Sequence, residues 1–131
     1  MLTDNGITTS TLTIGQNVTI RDLDVTLWID HQRASDLNVY LVGPDGTRVK
    51  LFDGEGGTSG NGWQGTILDD EAAVLISANQ ANPPYAGSYR PEASLSAFDN
   101  KLTAGTWILE ITDTKNTKTG TVNSWSLNIR Y

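Results

Sequence analysis

His31 is the only imidazole among 131 residues, and cysteine is absent. A hydrolytic triad would have to be built around that one ring from one of many serines, and no Gly-x-Ser-x-Gly elbow stands in the chain to present one. The plainer reading puts His31 at a strand end, its ring packed and hydrogen-bonded near Asp36. Paired carboxylates for glycoside hydrolysis can be drawn from Glu55, Glu71, Glu92 and Glu110, but nothing in their spacing singles out a pair. No residue is therefore assigned a catalytic role.

Metal chemistry has more to work with. Asp69-Asp70-Glu71 is a run of three carboxylates that repel one another unless they are solvated or share a cation. Calcium takes six to eight oxygens from such carboxylates and from loop carbonyls. Asp36 stands directly before a predicted strand, and Asp30 and Asp113 lie near the ends of others, so a two-sheet fold could gather some of them at one rim. The candidate ligands for a structural calcium ion are Asp36, Asp69, Asp70, Glu71 and Asp113. An ordinary solvated acidic loop is the alternative. Asp22-Leu23-Asp24 and Asp45-Gly46 lack the remaining spacing and closing Glu of an EF-hand.

Aromatic residues offer a third kind of chemistry. Trp28, Trp63, Tyr85 and Tyr89 could stack on sugar or pack on a protein. Trp107 and Trp125 run in phase with the aliphatic residues of their segments and are read as core. Trp28 alternates with Leu27 and Ile29 and so should face outward.

These residues must be held by short elements. Val18, Ile20, Leu23, Val25, Leu27 and Ile29 alternate with polar residues, with one register shift at 21–23 that suggests a bulge. A strand over 37–42 ends at Gly43-Pro44-Asp45-Gly46, a turn sequence that returns a hairpin strand over 47–52. Residues 53–65 are Gly-rich and polar apart from Trp63, and predict a long loop. Short strands are expected at 66–68 and 73–76, with helix the alternative over 70–76. Residues 82–91 should form an extended, ordered segment. Trp107, Leu109 and Ile111 share one strand face, and Trp125, Leu127, Ile129 and Tyr131 another, so these two strands are expected to pair antiparallel. The fold class is all-β, a sandwich or jelly roll with mainly antiparallel strands.

Composition bounds the rest. The length suits one domain, with 37% apolar residues and a formal charge of −6. Such a charge, with no basic stripe, argues against nucleic-acid binding. No segment approaches the ~20 apolar residues of a membrane span. Met1-Leu2-Thr3-Asp4 lacks the basic start and apolar run of a signal peptide, as an internal piece of a longer protein would. Asn17-Val18-Thr19 matches a glycosylation triplet that recurs by chance.

Three stretches together resemble the P (Homo B) domain of proprotein convertases and their bacterial relatives. The first runs from Ile29-Asp30-His31 through Asp36-Leu37 to Leu41-Val42-Gly43-Pro44-Asp45-Gly46-Thr47 and Leu51. The second is Gly87-Ser88-Tyr89-Arg90-Pro91 with Leu95, Phe98 and Asp99. The third is Gly105-Thr106-Trp107-Ile108-Leu109 with Asp113, then Gly120-Thr121 and Trp125-Ser126-Leu127. Their order and spacing cover residues 20–131. The resemblance implies a galactose-binding-domain-like jelly-roll sandwich over 18–131, with 1–17 as linker or leading strand. It further implies a non-catalytic accessory role beside a subtilisin-like catalytic domain of the same secreted chain, with a tie to calcium. A monomer is the default. A carbohydrate- or matrix-binding module is the rival, and a flat platform of exposed Trp63 and Tyr85 would favour it.

Overall fold

The computed structural model describes residues 1–58, 60, 62–78 and 80–131. Among the described residues eight strands carry the fold: β1 (Ile7–Ile14), β2 (Asp22–His31), β3 (Leu37–Val42), β4 (Arg48–Asp53), β5 (Trp63–Leu68), β6 (Gly87–Tyr89), β7 (Gly105–Asp113) and β8 (Gly120–Arg130). They form two four-stranded sheets, ordered β1-β7-β3-β4 and β6-β5-β2-β8. All pairings are antiparallel except β5 with β6. The chain crosses repeatedly between sheets, which makes this a β-sandwich of jelly-roll type.

Period-two patterning explains the core. Leu23, Val25, Leu27 and Ile29 of β2 point inward and are buried, as are Trp107, Leu109 and Ile111 of β7 from the facing sheet. Residues 7–14 form an edge strand paired with β7. The β3–β4 hairpin closes through Gly46 at φ +89°, with Asp45 Oδ1 accepting from the Thr47 amide at 2.9 Å.

Four expectations are corrected. β7 and β8 do not pair: β7 lies between β1 and β3, while β8 pairs with β2 in the other sheet. Trp125 on β8 is accordingly only partly buried, and its Nε1 donates to Ser10 Oγ on β1 at 2.9 Å, across the sandwich. Residues 70–76 are neither helix nor a full strand; Leu75 makes one isolated parallel bridge to Arg90. The register shift falls not at 21–23 but around Trp28, on both of its neighbours. The expected loop is interrupted at Trp63, which begins β5; Ser59 and Asn61 within it lie outside the described residues.

Trp63 is held by stacking. Its ring centroid is 4.3 Å from that of Phe52 and 5.9 Å from that of Tyr85, and Tyr85 meets Tyr89 edge-on at 5.7 Å. Trp63 and Tyr85 are buried at 0% and 2% exposure, so no sugar platform exists at these two rings.

Candidate functional site

The five carboxylates expected to bind calcium are divided between the two ends of β2. At one end, His31 and Asp113 are both buried. His31 Nε2 lies 2.9 Å from Asp113 Oδ2, and Nδ1 lies 2.7 Å from the Arg33 carbonyl oxygen and 3.0 Å from the Arg33 amide nitrogen. Asp113 Oδ1 also accepts from the Lys115 amide at 3.2 Å. Asp36 is buried in a 3-10 turn (Ala34–Asp36) just before β3, its carboxylate 3.6 Å from Arg33 Nε, and its Oδ2 has no hydrogen-bond partner. The Asp36 carbonyl accepts from the Thr114 amide and hydroxyl at 2.8 and 2.9 Å. This is a clasp between the sheets, and it engages both ring nitrogens that a catalytic histidine would need.

The other three residues sit at the far end. Asp69 Oδ1 accepts from the Glu71 amide at 2.8 Å. Asp70 is spent as a cap: its oxygens accept from the Leu95 and Ser96 amides, both at 2.8 Å, and from Ser94 Oγ at 2.6 Å. It thereby fixes the 3-10 turn Leu95–Phe98, whose Phe98 packs 5.1 Å from Trp107. Asp22 and Asp24, which the sequence offered only as a fragment short of an EF-hand, and Asp99 join this end. Burial, then Asp69 and Asp22, push the Asp24 carboxyl up to about 6. Desolvation, then Asp22, Asp69 and Asp70, push Glu71 up to about 7. Asp99 is raised by desolvation and by Asp22 and Asp70. The readable signal was Asp22-x-Asp24 on the outward phase of a strand that ends beside the acidic run.

Asp24 Oδ1 is buried without a partner, and it is the atom a cation at this end would satisfy. As the side chains stand, no group of three or more His, Asp or Glu among the described residues is placed to hold an ion. The five expected ligands are not brought together: Asp36 and Asp113 lie at one end of β2, and Asp69, Asp70 and Glu71 at the other.

The proprotein convertase P-domain family model matches residues 20–129. The Aeromonas extracellular serine protease of Aeromonas sobria is 32% identical over 113 residues, which is 86% of this chain and 16% of the relative. Crystal structures of the Aeromonas sobria serine protease, alone and in complex with the chaperone, align over 98% of this chain and 24% of theirs. Their TM-scores are 0.60 and 0.61 at 24% identity, a likeness of fold.

Proposed function

The chain belongs to the proprotein convertase P-domain family, and we propose that it serves a secreted subtilisin-like serine protease as a non-catalytic accessory domain. Its partner in this reading is the catalytic domain of the same polypeptide, which it supports in folding, stability and regulation. The observation that carries the proposal is the family match from residue 20 to residue 129, almost the whole sandwich. The clasp between His31 and Asp113 supports it, because the one imidazole is committed to structure rather than to a serine.

Calcium has a narrower place here than the sequence suggested. We place it as a structural ion at the acidic end only, where Asp24 Oδ1 lacks a partner, Asp69 and Asp22 stand near it, and Glu71 stands near those two. Asp36 and Asp113 belong to the clasp.

An antibody to this chain tests the domain assignment on culture medium and cell extract of the source organism. The proposal expects a secreted polypeptide several times the 14.2 kDa of this chain, labelled by a fluorophosphonate probe for active serines. A free species of about this mass with no attached serine hydrolase would overturn it.

A further inference from the structure

The outer face of the second sheet has a use that an accessory role does not require. We infer that the surface around Trp28 binds a neutral polysaccharide, with the indole as its stacking platform. Trp28 is 42% exposed in the middle of β2, on the face turned away from the core. Both neighbouring strands carry one extra residue opposite it. Against β5 the register passes from Leu27–Thr66 to Trp28–Gln64 and skips Gly65. Against β8 it passes from Trp28–Ser124 to Ile29–Val122 and skips Asn123. Bulges of this kind re-aim side chains and concentrate at functional surfaces.

Each extra residue has a distinct effect. Gly65, at φ +72°, lets the indole lie against β5: a Cβ there would stand 3.2 Å from Cζ2 and 3.6 Å from Cε2 of Trp28. The ring thereby packs close to the β5 backbone while 42% of the residue stays exposed. Asn123 reaches the next outward residue of β2, its Nδ2 donating to Asp30 Oδ2 at 2.7 Å. Gln64 Nε2 donates to the other oxygen of the same carboxylate. Asp30 is thus fixed from two sides, roughly 7 Å along the strand from Trp28.

Beside it opens a cavity of about 370 Å³ lined by Asp30, Gln32, Gln64, Pro84, Thr119 and Thr121. On the β8 side of the indole the neighbours are Thr26, Ser124 and Ser126, and on the β5 side Gln64 and the one aliphatic residue Ile67, all placed on its face by the two registers. A lone aromatic ring with a single aliphatic neighbour, amid hydroxyls, amides and one oriented carboxylate, matches a sugar better than a protein core patch. The C–H face of a pyranose covers the indole, vicinal hydroxyls donate to Asp30, and the cavity takes the next residue of the chain. Acidic polymers are disfavoured, since Asp22, Asp24 and Asp30 lie on this face of a chain with net charge −6.

Native gel electrophoresis of the 131-residue chain through gels containing hydroxyethyl cellulose, xylan or galactomannan tests the inference. Tryptophan emission is read alongside, with the matching soluble oligosaccharides. At least one polymer should retard the chain and shift Trp28 emission. Trp28→Ala should bind at least about tenfold more weakly, Trp28→Phe should keep part of the affinity, and both should unfold at nearly the parent temperature because the ring is exposed. Retardation by none of the polymers, or equal retardation of Trp28→Ala, would overturn the inference. An emission shift elicited by the parent catalytic domain but not by any polysaccharide would overturn it as well, and would make this face a domain interface.

Discussion

Nε2 of His31 lies 2.9 Å from Oδ2 of Asp113, joining the end of β2 in one sheet to the end of β7 in the other, with both side chains shut from water. Removing Asp113 leaves the buried imidazole without its partner, and the Lys115 amide, at a part-buried position, without its acceptor. Asp113→Ala should therefore cost on the order of 1–3 kcal/mol in urea unfolding. His31→Ala should cost a similar amount, and the double variant less than the sum, because both changes break one contact. Additive costs would mean that the two residues stabilise the fold separately.

Two buried indoles differ in their polar ends. Trp107 Nε1 donates to the Thr103 carbonyl at 2.9 Å, whereas Trp63 Nε1 is buried without a partner. Trp107→Phe strands an acceptor, while Trp63→Phe removes an orphaned donor and keeps the stack on Phe52 and Tyr85. The first should be the more destabilising, by roughly 1–2 kcal/mol. Equal midpoints in chemical denaturation would show that ring volume alone decides both.

The contrast between these residues also marks what the sequence could disclose. Trp107 was legible as core because it keeps phase with Leu109 and Ile111. Trp63 was not, because it stands among glycines and its burial depends on rings at 52 and 85. The β3–β4 hairpin was legible because Gly43-Pro44-Asp45-Gly46 encodes its own turn. The partners of β7 and β8 were hidden for a different reason: alternation tells which face is inward, not which strand lies alongside. Among the carboxylates, only charge could be read. That Asp70 caps a turn 25 residues later, that Asp113 meets a histidine, and that Asp36 lies beside Arg33 rather than Asp69, are consequences of topology.

Acidity should stabilise this fold. Asp24 is raised to about 6 by burial and by Asp69, and Glu55 to about 7 by burial and by its hydrogen bond with Glu92. A raised folded value means the native state holds protons that the unfolded chain releases. This contribution is complete below the ordinary values of 3.8 and 4.5 and is lost as pH rises through about 6 and 7. Thermal midpoints at fixed ionic strength, in chelator, should fall between pH 5 and pH 8, and Asp24→Asn should flatten the lower part of that fall. A midpoint rising over the same interval would contradict these assignments.

Calcium at the acidic end predicts a specific dependence on Asp24. Millimolar Ca²⁺ at pH 8 should raise the midpoint of the parent chain above its value in EDTA by several degrees, about 2.7 kcal/mol at a hundredfold excess over Kd. Asp24→Asn should lose most of that rise, while Asp36→Asn should keep it. An equal rise with Mg²⁺, or one insensitive to Asp24, would reduce the effect to screening of repelling carboxylates.

The central claim is that this sandwich supports a subtilisin-like catalytic domain in the same polypeptide. Its most direct test compares secreted, active-site-titrated protease from the full-length gene with that from a gene lacking these 131 residues. The account predicts that deletion lowers the active yield at least about tenfold, or shortens the half-life of activity at elevated temperature to a similar degree. Unchanged yield and half-life in the truncated protease would contradict it.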